Sequence, residues 1–280
     1  FILEENIRKI LNELSRWQYI ISEDSGFRAS KLGKKISQLY VDPLSAKEII
    51  QVLQEWKKKD IMNPIELFFG ISRTPDISPF KLRLLTNIYN LAKFLVNLPS
   101  KIFQVFRNDV PQQLLKKLEE ISTNIDYGLD PTEEDFIGSL GVVVLLLLWI
   151  EGYPVKEILA PFSPNFSGGD FRELIRLSEW LIYCAKELGG TLGLKPSLIK
   201  KMETLRKRVA YGVPEDLLEL VQIPGIGRVR AKILAQHGYD SLEKLAQTSV
   251  SALTNLPGIG ETIARKVIEY AKQKTIRSSI

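Results

Sequence analysis

The chain has 280 residues, of which 45% are hydrophobic and 25% are charged, and its formal net charge is +5. This composition predicts a folded protein of two or three domains and excludes an intrinsically disordered one. One cysteine and one histidine exclude a disulfide framework and a Cys/His zinc site. Cysteine poverty and the absence of a signal-peptide pattern predict a cytoplasmic protein in a reducing compartment. Since residue 1 is Phe, we expect a fragment or a trimmed chain.

The expected fold class is mainly α, and residues 1–75 predict helices around a small β-wing. The β-rich run from Trp17 to Ile21, a turn, and the run from Phe27 to Ala29 predict a hairpin. Ser30 is expected to cap the next helix, which Asp42-Pro43 should end. This order is typical of a winged-helix domain, which binds DNA in some proteins and serves as a scaffold in others.

Residues 76–198 predict a helical bundle, with Pro99 and Pro111 as breaks. Asp130-Pro-Thr-Glu-Glu is a helix start signal, and the helix after it carries the most apolar run, Leu140 to Ile150. This run has eleven residues, whereas a membrane span needs about twenty. We therefore expect a buried core helix.

The next long helix is predicted to run from Asp170, as its N-cap, to Leu188. Arg176 lies four residues before Trp180, so the two side chains share a face of this helix. An indole beside a guanidinium can stack on an unpaired base and hold the strand. From the residues alone, a tryptophan in such a helix is more often part of the core, as we also expect for Cys184.

Residues 199–280 combine a basic helix with a motif that occurs twice, as Ile223-Pro-Gly-Ile-Gly227 and Leu256-Pro-Gly-Ile-Gly260, each followed by a helical run. The glycines permit a tight turn and a close approach by another backbone, and a helix N-terminus attracts an anion. From residue 200 onward there are fourteen Lys/Arg and eight Asp/Glu, which leaves the rest of the chain near neutral. The pair resembles tandem helix-hairpin-helix motifs, which implies binding to the DNA backbone without sequence preference.

The two copies differ in charge. The first copy offers two turn glycines and three basic residues as DNA contacts: Gly225, Gly227, Arg228, Arg230 and Lys232. The second copy offers two glycines and two basic residues placed a turn later: Gly258, Gly260, Arg265 and Lys266. Because its helix begins with Glu261, we expect the second copy to act mainly as a packing partner. The alternatives for this region are a structural helical hairpin and a protein–protein module.

Several separate stretches together resemble one helicase family. Leu32-Gly-Lys-Lys-Ile-Ser-Gln-Leu-Tyr-Val-Asp-Pro43 is similar to part of its winged-helix domain, and Arg73-Thr-Pro-Asp76 to a turn just after it. Asp170-Phe-Arg…Ser-Glu-Trp180 looks like its ratchet helix. Tyr211-Gly-Val-Pro-Glu-Asp-Leu-Leu-Glu-Leu-Val, followed by the first hairpin, resembles its final linker and hairpin. The family is the archaeal fork-repair DNA helicases of superfamily II, related to helicase Q and to the helicase part of DNA polymerase theta.

The resemblance implies an ATP-driven 3′-to-5′ DNA helicase that acts at stalled forks. It implies a winged-helix domain over residues 1–75, a helical ratchet bundle over 76–198, and a basic linker helix with a tandem helix-hairpin-helix domain over 199–280. It also implies that Trp180 stacks on a base of the translocating single strand. By the same resemblance, the basic run of the first hairpin contacts the exiting strand.

The chain departs from the family's pattern in three places. The family often has a basic residue seven positions before the tryptophan, where this chain has Glu173, and Arg172 or Arg176 can substitute for it. The segment from 80 to 130 is longer than the usual connection. The second hairpin is more complete than in the family, where it is often degraded.

The sequence contains no Gly-x-x-x-x-Gly-Lys-Ser/Thr loop and no Walker-B box. The ATP and Mg²⁺ that the resemblance implies are therefore expected in RecA-like motor domains outside this chain, which by itself offers no catalytic residue and no metal site. Single-stranded or forked DNA is the expected partner. The alternatives are a stand-alone adaptor without a motor, which binds DNA or docks another protein, and an RNA-acting relative of the same superfamily.

Overall fold

A computed structural model describes residues 2–24, 26–86, 129–162 and 164–278, together with residues 91, 94, 95, 98, 112, 116 and 120. The described residues form two compact units. Unit 1 comprises Phe1–Leu148 and Val155–Arg206, and unit 2 comprises Trp149–Pro154 and Lys207–Ile280. The predicted breaks at Pro99 and Pro111 lie outside the described residues. The division into three domains at residues 75 and 198 remains a proposal.

The first part of unit 1 has the order of elements predicted for the winged-helix domain. These elements are α1 (Ile2–Arg16), β1 (Ile20–Glu23), β2 (Gly26–Ala29), α2 (Lys31–Leu39), α3 (Pro43–Lys59), α4 (Pro64–Ser72) and α5 (Ser78–Leu85). The strands are antiparallel, with Ile20 opposite Ala29, so the predicted hairpin is confirmed. Within the described residues the fold is mainly α with a small two-stranded sheet, as the sequence predicted.

Short polar residues fix the starts of α2 and α3. The hydroxyl oxygen of Ser30 accepts the N–H of Gly33 at 3.0 Å and caps α2, as predicted. The carboxylate of Asp42 accepts the N–H of Leu44 at 2.7 Å and caps α3. A side chain at Gly33 would clash with the backbone of Tyr19, so glycine is needed where the chain before β1 lies against α2.

The turn from Arg73 to Asp76 ties α3 to the end of α4. The hydroxyl of Ser45 donates to the Asp76 carboxylate at 2.5 Å, and Arg73 lies 3.4 Å from the carboxylate of Glu48. Thr74 is buried and donates to the carbonyl oxygen of Ile71 at 2.8 Å. This turn, which resembles one in the helicase family, therefore has a structural role here.

The other elements described in unit 1 are helical. They are α6 (Pro131–Ile150), α7 (Val155–Leu159), a 3-10 turn (Ala160–Phe162), α8 (Gly168–Leu192) and α9 (Pro196–Tyr211), of which α6 and α9 extend into unit 2. The apolar run of α6 is a core helix, as predicted, because Leu140 and the residues from Val142 to Leu148 are at most 3% exposed. Among the described helices, none is both long and apolar enough to span a bilayer.

Helix α8 lies against α2, α3 and α4. Lys35 of α2 pairs with Glu187 at 3.1 Å, and Lys57 of α3 donates to the carbonyl oxygen of Leu192 at 2.7 Å. Cys184 points into this core, as predicted, and burial raises the pKa of its thiol to about 12. The buried face of α8 therefore fixes the orientation of its opposite, exposed face.

The prediction that Asp170 is the N-cap of α8 is wrong. The N-cap is Ser167, whose hydroxyl oxygen accepts the N–H of Asp170 at 3.2 Å. The Asp170 carboxylate accepts the N–H of Ser167 at 2.9 Å in return, so the two residues form a capping box. The helix also ends later than predicted, at Leu192, because Gly193 adopts the left-handed conformation with φ 74°.

Unit 2 contains the segment Trp149–Pro154 and the elements that follow the end of α9. These are a 3-10 turn (Glu215–Leu217), α10 (Leu218–Val221), α11 (Arg228–Gln236), α12 (Leu242–Gln247), α13 (Val250–Thr254) and α14 (Glu261–Ser278). Aliphatic side chains from all of these helices form its core. His237 is the C-cap residue of α11, with its ring Nδ1 2.8 Å from the carbonyl oxygen of Ile233.

Candidate nucleic-acid interfaces

The two Pro-Gly-Ile-Gly motifs of unit 2 fold into equivalent turns. In the first turn, the N–H of Ile226 donates to the carbonyl oxygen of Ile223 at 2.9 Å. In the second, the N–H of Ile259 donates to the carbonyl oxygen of Leu256 at 3.2 Å. All four apolar side chains are at most 8% exposed, so they anchor both turns on the core of unit 2. The sequence repeat is therefore also a structural repeat.

The glycines of both turns face open space. Gly225 and Gly258 have φ values of 86° and 73°, a left-handed conformation that favours glycine. A Cβ atom added at either residue, or at Gly227 or Gly260, would have no heavy atom within 4 Å. Glycine is thus required at two of these positions by backbone conformation, and the other two leave a surface that another backbone can approach.

Gly227 is the N-cap of α11 and Gly260 immediately precedes α14. The first backbone N–H groups of a helix have no acceptor within the helix, and no side chain caps α11. These N–H groups and the helix dipole favour an anion in front of the open glycines. Lys232, on the second turn of α11, is exposed and adds a positive charge.

Arg230 connects the two turns. Its Nε donates to the carbonyl oxygen of Gly258 at 2.7 Å, and its Nη1 donates to the carbonyl oxygen of Gly225 at 3.0 Å. One guanidinium therefore bonds to both repeats of the motif. The sequence placed this residue among the phosphate contacts and gave no sign of the link to the second repeat.

Arg228 is occupied inside unit 2. Its guanidinium lies over the ring of Trp149, with Cζ 4.0 Å from the ring centroid, and Nη2 donates to the carbonyl oxygen of Tyr153 at 2.7 Å. Burial lowers the pKa of this guanidinium, and its Nη1 is buried with no hydrogen-bond partner among the described residues. The role of Arg228 as a DNA contact remains a prediction, and its surroundings favour a structural role.

The segment Trp149–Pro154 is a part of the site that sequence reasoning missed. The indole Nε1 of Trp149 donates to the carbonyl oxygen of Val209 at 2.6 Å, and a side chain at Gly212 would overlap the indole ring. Glu151 pairs with Arg208 at 2.8 Å. The one signal in the sequence was a tryptophan with a polar ring nitrogen at the end of an otherwise aliphatic run.

In the second hairpin, one of the two basic residues predicted to contact DNA forms an ion pair. Arg265 lies 2.6 Å from Glu261 of the same helix, and both side chains are exposed. Lys266 is exposed. The neutralising carboxylate at the start of α14 makes this turn a weaker anion site than the first.

In unit 1, the predicted stacking residue Trp180 lies on α8 and is partly exposed. Arg176 is held by Glu173 at 2.5 Å, and Arg172 is exposed. Tyr183, one turn after Trp180, is 39% exposed and has the Lys186 ammonium 5.2 Å from its ring centroid. These positions recur at helical spacing, so α8 presents two aromatic side chains and three basic ones on one side.

Charged side chains from α9 fix the residue that precedes Trp180. Arg206 pairs with both Glu179 of α8 and Glu203 of its own helix, and Glu203 also lies 3.1 Å from Lys186. The hydrogen bonds from Arg206 are the largest cause that lowers the pKa of Glu203 to about 2. This network joins α8 to α9 next to Trp180. Within the described ranges, no group of three or more His, Cys, Asp or Glu side chains offers a metal site.

Two family models match separate parts of the chain. Residues 217–273 match the model described as SAM-like helix-hairpin-helix tandem. Residues 101–212 match the model described as archaeal helicase, domain 4. The first match contains both turns of unit 2, and the second contains α8.

The most similar relatives include three proteins named ATP-dependent DNA helicase Hel308. The protein of Caldivirga maquilingensis is 32% identical over 95% of this chain and 33% of its own length. That of Pyrococcus horikoshii is 29% identical over 96% of the chain and 34% of its own length. That of Methanocella arvoryzae is 29% identical over 97% of the chain and 34% of its own length. The chain thus spans about a third of the length of these relatives.

Proposed function

We infer that this chain, which corresponds to the C-terminal region of archaeal Hel308-type DNA helicases, holds DNA for a motor that the rest of such a helicase provides. The observation that carries this proposal is the pair of glycine turns in unit 2, which are open to solvent and precede helix N-termini. Their backbone N–H groups suit phosphate oxygens, which every nucleic-acid sequence presents equally.

At the first turn, the proposed phosphate contacts are the backbone around Gly225 and Gly227 together with the exposed Lys232. At the second turn they are the backbone around Gly258 and Gly260 together with Lys266. The guanidiniums of Arg228, Arg230 and Arg265 are each engaged by another group of unit 2. Their contribution to DNA binding is therefore expected to be indirect or weaker.

On α8, Trp180 is the proposed stacking residue for a base of the single strand, because it is partly exposed and Arg176 lies one turn before it on the same helix. Arg172 and Arg176 are the proposed backbone contacts next to it. An aromatic face and nearby guanidiniums are the combination that single-strand-binding grooves use, and every base offers a π-face to it.

The whole protein is proposed to be an ATP-dependent 3′-to-5′ helicase that acts on replication forks. RecA-like motor domains of the same protein would bind ATP and Mg²⁺, while this chain grips the strand behind them. The relatives' printed names support ATP dependence and an action on DNA.

Titration of the purified chain with a labelled single strand and a labelled fork, followed by fluorescence anisotropy at several salt concentrations, tests the proposal. We expect log K to fall linearly with log salt concentration, as phosphate contacts require. Lys232→Ala should reduce the slope by about one. Lys244→Ala is the matched control, because Lys244 is an exposed lysine of unit 2 already paired with Asp240 at 2.8 Å. A chain that melts cooperatively but binds no DNA at low salt would reject the proposal and favour a docking adaptor.

A further inference from the structure

We propose that Arg230 is a positioning residue, which fixes the two glycine turns of unit 2 relative to each other so that they grip one nucleic acid as a pair. This inference rests on the proposed function of the turns. It assigns the second hairpin a binding role that depends on the first, and it gives Arg230 a task other than phosphate contact.

The two carbonyl groups that Arg230 bonds are equivalent. Gly225 and Gly258 occupy the same position in their Pro-Gly-Ile-Gly motifs, and both adopt left-handed backbone conformations. Nε reaches the second turn at 2.7 Å and Nη1 reaches the first at 3.0 Å. The guanidinium thus links the two repeats at corresponding atoms, in addition to the apolar side chains that anchor each turn on the core.

The geometry of an arginine side chain suits this connection. A guanidinium holds its five N–H donors in a rigid plane, whereas a lysine ammonium is a point charge on a flexible stem. The corresponding position in the second repeat is Ile263, so the connection comes from the first repeat alone. The two turns are also joined through the core of unit 2 and through α12 and α13.

When two phosphate sites at a fixed separation bind one strand or duplex, the nucleic acid loses its translational and rotational freedom only once for both sites. Once the first site is filled, the nucleic acid is present at a high effective concentration at the second site, provided that the spacing of the sites matches that of the phosphates. Loosening the spacing lowers this coupling even when each site keeps its own contacts. Arg230 therefore controls how strongly the two hairpins depend on each other.

The first experiment separates positioning from charge. Arg230→Lys keeps the positive charge and loses the fork, and Arg230→Gln loses the charge and keeps one amide donor group. We expect Arg230→Lys to weaken binding to a labelled DNA duplex about as much as Arg230→Gln does. A lysine variant that binds DNA like the unsubstituted chain, with an unchanged salt slope, would show that Arg230 acts as a charge and would overturn the proposal.

The second experiment measures the coupling directly. Lys232→Ala weakens the first site and Lys266→Ala weakens the second, and the double variant completes a cycle. With Arg230 present, both sites are filled together, so each single variant should lower the affinity by nearly its full factor and the two losses should multiply to the double loss within about threefold. In the Arg230→Lys background, one intact site binds DNA with a smaller contribution from the other, so each single variant should lower the affinity by a smaller factor than it does with Arg230 present.

The outcomes of the two experiments distinguish the inference from the function on which it rests. If neither Lys232→Ala nor Lys266→Ala changes DNA affinity, the proposed function of the turns fails. If both variants weaken binding, and by the same factors in the unsubstituted and the Arg230→Lys backgrounds, the positioning role of Arg230 fails but the proposed function of the turns stands. Thermal melting of each variant confirms that the compared chains are folded, and Arg230→Gln replaces Arg230→Lys in the cycle if the latter does not fold.

Discussion

The guanidinium of Arg228 lies 4.0 Å from the centre of the Trp149 ring and donates to the carbonyl oxygen of Tyr153. These residues are far apart in the sequence, and Arg228 opens the helix that follows the first glycine turn. The contact means that the first basic residue of the Arg-Val-Arg run helps to hold unit 2 together. Lys232 is the exposed cation of the same helix.

We predict that Arg228→Ala lowers the free energy of unfolding by about 1–3 kcal/mol, because it removes a partly buried cation–π contact and a charged hydrogen bond. The affinity of the folded chain for DNA and its salt slope should change little. Urea unfolding and anisotropy titrations measure the two quantities. Lys232→Ala is the control, with unchanged stability and a slope reduced by about one. The interpretation fails if Arg228→Ala reduces the salt slope of DNA binding as much as Lys232→Ala does and leaves the urea unfolding curve unchanged.

Gly227→Thr should weaken DNA binding without lowering stability. The φ value at Gly227 is −92° and an added Cβ meets no atom, so the position accepts a side chain without strain. Threonine is also a favourable N-cap residue. Its side chain, however, fills the space in which a phosphate would approach the helix N-terminus. We expect at least a severalfold loss of affinity with a melting temperature that is unchanged or higher.

The matched control for that variant is Gly225→Thr. Gly225 has a φ of 86°, so a β-branched residue there is strained and the melting temperature should fall. Equal DNA affinity for Gly227→Thr and the unsubstituted chain would contradict a close approach of phosphate to this turn. The pair of variants separates the two uses of glycine in one motif, which are backbone conformation and open space.

The sequence alone predicted the winged-helix order, the buried apolar helix and the two turns, because each rests on local spacing and on Pro, Gly and capping residues. It did not predict the partners of Arg228 and Arg230. Whether a basic side chain near a helix start faces water or a distant carbonyl oxygen depends on tertiary packing, which helical spacing does not encode. The error at Asp170 has a local cause, since Ser167 and Asp170 are both good capping residues and share one capping box.

Trp180→Ala should reduce the affinity for single-stranded DNA by about 1–3 kcal/mol if the indole stacks on a base. Because Trp180 is only partly exposed, some loss of stability is expected as well, and thermal melts must accompany the titrations. Tyr183→Ala tests whether the stack extends by one helical turn. As a control, Leu181→Ala removes a fully buried side chain of the same helix and should lower stability by about 2–5 kcal/mol. A fall in melting temperature for Trp180→Ala, with the affinity of the folded fraction unchanged, would identify a core residue.

The pairing of Glu203 predicts a loss of stability in acid. Hydrogen bonds from Arg206 are the largest cause that lowers the pKa of Glu203 from its usual 4.5 to about 2. A carboxyl group whose pKa is lowered by folding contributes stability above its unfolded pKa, and this contribution is lost as the pH falls from about 4.5 toward 2. The free energy of unfolding of the unsubstituted chain should therefore decrease through this window. In Glu203→Gln, which has no proton to gain, the decrease should be smaller, and the two chains should approach each other in stability near pH 2. Urea titrations at successive pH values measure this difference, and parallel pH profiles for the two chains would show that the network around Arg206 does not stabilise the fold.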